Sequence, residues 1–114
     1  MTTEDSASTP RDVLPGTLDL LVLRVLELAP MHGWGIGQRI EQVSGIFRIK
    51  LGSLYPALQR LEDAGLLDAE WRQTENGRRA RYYRITRAGR KRLAVERRDW
   101  ERLSAAMARL LEAT

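Results

Sequence analysis

The sequence has 114 residues, 43% of them hydrophobic, which suits one folded domain with a single core. It holds no cysteine and one histidine, His32, which excludes disulfides, thiolate metal sites and a histidine metal cluster. The net charge is +4, but eleven basic residues fall between Arg72 and Arg98 against two acids, Glu75 and Glu96, an imbalance that attracts polyphosphate partners.

Residues 1–13 are polar and predict a flexible N-terminal tail. Pro15-Gly16-Thr17 then starts a helix, with Thr17 as its expected cap, and Leu18, Leu21, Val22, Val25 and Leu28 recur at helical spacing as its buried stripe. Asp19, Arg24 and Glu27 interrupt this most apolar stretch, so neither a signal peptide nor a membrane span is read and a soluble cytoplasmic protein is expected. Pro30 and Gly33 end the helix. A second helix is predicted over Trp34 to Val43, burying Ile36, Ile40 and Val43, with Ser44-Gly45 as its stop and Ile46 to Lys50 as a short strand or extended connector. A third helix is expected from about Gly52 to Ala64 with Ser53 as cap, Pro56 tolerated in the first turn, and Gly65 as terminator. Its buried face is Leu54, Leu58 and Leu61; Gly52, Pro56, Gln59, Arg60 and Asp63 lie on the exposed side, with Tyr55 on the flank.

A hairpin follows, with strands Leu67 to Thr74 and Arg81 to Thr86 around Glu75-Asn76-Gly77-Arg78, where Asn-Gly signals a tight turn. Thr86 caps a last helix that reaches about Leu111. Three helices, a hairpin and a helix define a mainly α fold with a small β-hairpin: a winged helix-turn-helix domain over residues 14–86, followed by a long C-terminal helix over residues 87–114.

A helix that exposes polar residues, next to a hairpin basic at its tip, suits double-stranded DNA. The helix fits the major groove, and Arg78, Arg79 and Arg81 reach backbone or minor groove from the turn. The plain alternative for such a charge run is a solvated surface, but arginine predominates, and its fork matches phosphate and guanine edges. Gly33-Trp-Gly-Ile-Gly is not a nucleotide loop, because its third glycine arrives one residue early and no strand is read before it. His32 has no partner acid or second histidine and reads as a packing or capping residue. Glu62 and Asp63 are adjacent on a helix and diverge, so they make no catalytic carboxylate pair. With no nucleophile–base pair, metal cluster or phosphate loop, neither an enzyme nor a cofactor is expected.

Leu14-Pro-Gly-Thr-Leu-Asp-Leu-Leu-Val-Leu, His32-Gly-Trp-Gly-Ile-Gly-Gln-Arg-Ile, Gly52-Ser-Leu-Tyr-Pro-Ala-Leu-Gln-Arg-Leu-Glu and Tyr82-Tyr-Arg-Ile-Thr-Arg-Ala-Gly-Arg occur in that order. Together they resemble the PadR family of bacterial transcriptional regulators, and the likeness runs from Leu14 to the C-terminus. The resemblance implies a homodimeric winged-helix DNA-binding protein, usually a repressor, whose C-terminal helices make the dimer. It also implies that Ser53, Tyr55 and Pro56 form the groove-facing start of the recognition helix. Gln59 stands where the family often has lysine, Trp34 where tyrosine is common, and Gly37 where a larger residue is common. The single C-terminal helix is similar to the short form of the family.

On that helix Leu93, Trp100, Leu103, Met107 and Leu110 follow spacings of seven, three, four and three, an a/d seam interrupted at Glu96. The alternative, packing on the subunit's own core, is disfavoured by length: about 25 residues span nearly 40 Å. These residues are the expected dimer interface, and the resemblance to short-form members makes Trp100 a candidate site for a small aromatic effector. The expected function is sequence-specific regulation, as a repressor, by a homodimer on an operator of two half-sites, with no membrane partner. The rivals are a non-specific architectural nucleic-acid binder, which would discriminate little between sequences, and a protein–protein adaptor, insensitive to the hairpin arginines.

Overall fold

The computed structural model describes Arg11, Asp12 and residues 16–114. Apart from Arg11–Asp12, the tail expected over residues 1–13 lies outside the described residues. Arg11–Asp12 forms β1, and α1 is Thr17–Leu28, β2 Met31–His32, α2 Gly33–Ser44 and β3 Phe47–Arg48. Then come α3 (Leu51–Asp63), β4 (Leu67–Gln73), β5 (Arg79–Ile85) and α4 (Arg87–Glu112). This is a winged helix-turn-helix followed by a long helix, mainly α with a small antiparallel sheet.

The core forms where α1 packs against α2, α3 and α4 and the sheet closes one side. Leu23, Leu26, Ile36, Leu54, Leu58, Leu67 and Leu93 are its largest fully buried side chains, and burial of each contributes about 1.5–3 kcal/mol. Two residues expected in buried stripes are corrected: Leu28 and Val43, the last apolar positions of their helices, are 61% and 71% exposed. In α1 the buried face is wider than expected and takes in Leu23 and Leu26, because three helices press on it rather than one.

Two expected caps are also corrected. Thr17 is the first helical residue of α1, behind Gly16 at φ 87°, and makes no side-chain cap. Ser53 is the third residue of α3, whose cap position is Lys50. The early start leaves Pro56 at the sixth position, inside the helix rather than in its first turn. The Gly52 carbonyl therefore loses its helical partner on the exposed side, where water can replace it. Other ends form as the sequence predicts. The His32 ring accepts the Gly35 N–H at Nδ1 (3.0 Å), the Thr86 hydroxyl accepts the Gly89 N–H (3.0 Å), and Gly45 closes α2 at φ 75°. Gly65 closes α3 at φ 77°. Behind it the Leu66 and Gly65 amides donate to the Leu61 and Glu62 carbonyls, both at 2.9 Å, the two-bond termination that a left-handed glycine permits.

Two strands were not legible in the sequence. Arg11–Asp12, inside the expected tail, pairs parallel with Phe47–Arg48, and Met31–His32 pairs antiparallel with Tyr82–Tyr83, so the hairpin becomes a sheet of order β2-β5-β4. β4 and β5 pair from Leu67↔Ile85 to Gln73↔Arg79. The turn between them holds Gly77 as its positive-φ residue, with the Gly77 N–H donating to Thr74 O at 3.0 Å and the Thr74 N–H to Arg78 O at 2.6 Å. Asn76 keeps negative φ, so the Asn-Gly pair makes a turn with one left-handed residue rather than a two-residue loop. Among the described residues no helix is long and apolar enough to cross a membrane.

Candidate nucleic-acid interface

The connection between α2 and α3 aims the third helix. The Ser44 hydroxyl accepts the Ile46 and Phe47 amides (3.3 and 3.1 Å). Across the same bend, a Glu41 carboxylate oxygen accepts the Ile49 N–H at 2.7 Å. Two polar side chains of α2 thus satisfy the bend that would otherwise leave amides unpaired. Leu54, Ala57, Leu58 and Leu61 anchor α3 on the core, and Ser53, Tyr55, Pro56, Gln59 and Arg60 remain exposed.

The exposed residues point three ways. Arg60 turns towards α1, where its guanidinium pairs with Asp19 at 3.0 Å. Gln59 donates to the Asp63 carboxylate at 2.9 Å along the helix. Tyr55 faces the hairpin. Its ring lies over Gly33, where a Cβ would come within 2.6 Å of Cε1 and 2.9 Å of the hydroxyl, so a residue with no side chain lets the ring lie on the start of α2.

In the hairpin, alternation puts Leu67, Ala69, Trp71 and Gln73 on one face with their partners Ile85, Tyr83, Arg81 and Arg79. That face changes character along its length. Leu67, Ile85 and Tyr83 are buried, Arg81 is half-buried, and Trp71 and Arg79 are exposed. Burial pushes the Tyr83 hydroxyl above its ordinary value of 10.0, against the opposing pull of the Arg81 charge. Beyond the core the same face becomes aromatic and basic. The Arg79 and Arg81 guanidiniums lie 5.5 and 5.9 Å from the Trp71 ring centre, within cation–π range. Arg81 also donates to Glu62 of α3 at 2.6 Å. The opposite face is salt-bridged internally, Arg84 with Asp68 (3.5 Å) and Arg72 with Glu70 (2.6 Å).

Helix and hairpin thereby frame an open cleft of about 650 Å³, bordered by Tyr55, Trp34, Trp71, Arg78, Arg79 and Arg81. Among the described residues Arg78, at the turn, has no ion-pair partner. Four of the sequence-selected residues, Tyr55, Arg78, Arg79 and Arg81, meet at this one cleft; Ser53, Pro56, Gln59 and Arg60 lie on the exposed helix surface beside it. Sequence reasoning missed Trp34, Trp71 and Glu62. The period-two spacing of Trp71 from Leu67 and Ala69 was the available signal for the second of these.

At the other end of the molecule, Leu93 corrects an expectation. It is 2% exposed and belongs to this subunit's own core, because the first two turns of α4 lie across α1 and β5. Past Glu96 every residue of α4 is exposed. Trp100, Leu103, Met107 and Leu110 form an uncovered apolar stripe, and Trp100 with Leu103 and Leu20 borders a groove of about 400 Å³ between α4 and the start of α1.

Fold and cleft together define a winged-helix DNA-binding regulator. The chain matches the Transcriptional regulator PadR-like family over residues 22–95. It is 32% identical over 90 residues to an uncharacterised protein of Lysinibacillus sphaericus, covering 78% of this chain and 83% of that one. It is 42% identical over 74 residues to a transcriptional regulator of Mycobacterium tuberculosis, covering 65% and 66%. A PadR family transcriptional regulator from Eggerthella lenta superposes with a TM-score of 0.75 at 32% identity, over 87% of this chain and 85% of that chain. The chain belongs to the PadR-like family of transcriptional regulators, a family of regulators and not of enzymes.

Proposed function

We propose that the chain is a sequence-specific repressor that binds an operator of two half-sites as a homodimer. In this reading α3 enters the major groove and reads bases through Ser53, Tyr55 and Gln59, with Pro56 and Arg60 at its edge. Arg78 and Arg79 reach the adjacent backbone or minor groove from the wing, and Arg81 stands behind them. The observation that carries the reading is the cleft itself: Tyr55 of the helix and three wing arginines face one open space, as a double helix with grooves on either side of a phosphate ridge requires. Two copies join through Trp100, Leu103, Met107 and Leu110 of α4, which sets the spacing of the two reading heads. Repression follows by occlusion, the dimer covering promoter DNA. A small aromatic effector held beside Trp100 at that interface would change the angle between the wings and release the operator.

Selection of bound duplexes from a random pool tests this reading. A regulator enriches one motif with two related halves and binds it about 10³-fold or more tighter than random duplex at the same salt. Enrichment of no motif, with a preference below tenfold, would establish non-specific architectural binding instead.

A further inference from the structure

Glu62 lies seven residues after Tyr55, two turns along the side of α3 that faces the wing. One of its oxygens accepts from Arg81 at 2.6 Å, and the two side chains are 23% and 37% exposed. Its other oxygen is buried without a hydrogen-bond partner. Arg81 sits directly opposite Trp71 in the sheet register, so one indole carries two guanidiniums with different fates. Arg79 has no ion pair among the described residues and points past the core, whereas Arg81 is tied back to the recognition helix.

Screening weakens ion pairs in water, but this one is partly withdrawn from it, and breaking it leaves the Glu62 carboxylate without a partner on either oxygen. Arg81 gives one guanidinium nitrogen to Glu62, and a phosphate that took that place would strand the carboxylate beside its own negative charge. Helix and wing must also seat in neighbouring grooves at once, so whatever fixes the angle between them affects which sequences fit.

We infer that Glu62 and Arg81 form a strut between recognition helix and wing, with Trp71 as its shelf, and that Arg81 is not among the residues that neutralise DNA phosphates. Glu62 is then a positioning residue for base reading, remote from the DNA. The inference rests on the DNA-binding reading above, and it reassigns one of the three wing arginines within it.

Charge-balanced variants test it. Binding of the selected duplex and of a scrambled duplex of equal length is measured across a range of salt for wild type, E62Q, R81Q and E62Q/R81Q, with R78A/R79A as control. The double variant removes one charge of each sign. It is expected to keep the wild-type log–log salt slope on scrambled duplex while losing at least tenfold of its preference for the selected one. E62Q alone frees Arg81 and should steepen the slope by up to about 0.9, the contribution of one phosphate contact. Amide exchange over residues 70–81 of free E62Q should rise while α1 stays protected.

A double-variant slope shallower by about 0.9 would assign Arg81 to phosphate and overturn the strut. An unchanged slope with unchanged preference would overturn it as well. If the double variant has no cooperative melt, E62Q carries the test alone, and unaltered wing exchange in that variant refutes the inference. Failure of the DNA reading itself looks different: the R78A/R79A control would then bind with the wild-type slope.

Discussion

Gly89 lies in the first turn of α4, packed against the end of α3. A Cβ there would run into the Leu66 carbonyl oxygen and come within 2.7 Å of Ile85 Cγ1. The carbonyl cannot move aside cheaply, because it accepts the Thr86 N–H at 3.0 Å. Gly89→Ala should therefore destabilise the fold by about 1–3 kcal/mol, read as a lower midpoint in urea. Gly33 differs, since the atom in the way belongs to a half-exposed tyrosine that can swing out. Gly33→Ala is expected to leave the urea midpoint nearly unchanged but to displace Tyr55, weakening preference for the selected duplex over scrambled DNA. Equal losses on both duplexes would show that Tyr55 reads no base. Tyr83 gives a pH-dependent case. Burial holds its hydroxyl above the ordinary value of 10.0, so above about pH 10 the unfolded chain releases the proton before the folded one. Stability from this residue is complete below that pH and falls as pH rises through the folded-state value. Tyr83→Phe should flatten the alkaline decline; the same decline in both proteins would remove Tyr83 as its cause.

At the scale of the elements, the wing is where charge and shape separate. Arg78 and Arg79 project from the turn, and neither has an ion pair among the described residues. Their joint replacement by alanine should weaken binding to every sequence by similar factors, with the log–log salt slope shallower by about 0.9 for each lost contact. Gln59→Ala acts on the helix instead and should relax preference at one or two base positions by about 1–3 kcal/mol if its contact is bidentate. In the free protein Gln59 donates to Asp63, so that bond has to open first. Much of this was legible in the sequence because it is set by local chemistry. Gly45, Gly65 and Gly77 mark the chain reversals, His32 and Thr86 mark helix starts, and period 3.6 gives way to period 2 at Leu67. What was not legible depends on partners distant in sequence. Met31–His32 is two residues long, too short to show any period, and becomes a strand only because Tyr82–Tyr83 offers it an edge. Ser53 looked like a cap, but the chain enters α3 from the tethered Ile49, and the helix begins earlier. Trp71 was missed because its period-two spacing gives its face of the strand but not its cross-strand neighbours, and only the sheet register brings Arg81 opposite it.

For the molecule as a whole, the decisive feature is the mismatch between α4 and the body that supports it. At 1.5 Å per residue its 26 residues span about 39 Å, and the whole subunit is 56 Å along its longest axis. Core packing ends at Leu93 and Glu96, and among the described residues only the start of α1 borders the apolar stripe, at its Trp100–Leu103 end. Trp100, Leu103 and Met107 are each more than half exposed, and Leu110 is 73% exposed. A stripe at a/d spacing left in water favours a second helix, and in the proposed homodimer a second copy would supply one with the same stripe, as two-fold assemblies require. With Leu93 in the subunit's own core, the proposed seam runs from Trp100 to Leu110, beyond the interruption at Glu96. Replacing Leu103 and Leu110 by aspartate would put unpaired charges into the seam without altering the winged-helix core. Sedimentation of this double variant should show a folded monomer with the wild-type core melt and with tight operator binding abolished, since a single reading head contacts only one half-site. A stable dimer would place the interface elsewhere. Trp100→Ala bears on the interface and on the groove beside Leu20 together: removing a tryptophan buried by association costs about 3–5 kcal/mol, enough to dissociate dimers of ordinary affinity. If this variant instead remains dimeric but loses equilibrium-dialysis binding of planar aromatic compounds that wild type retains, Trp100 belongs to an effector site. A wild-type dimer that binds none of a broad panel of such compounds would leave Trp100 a packing residue of the interface.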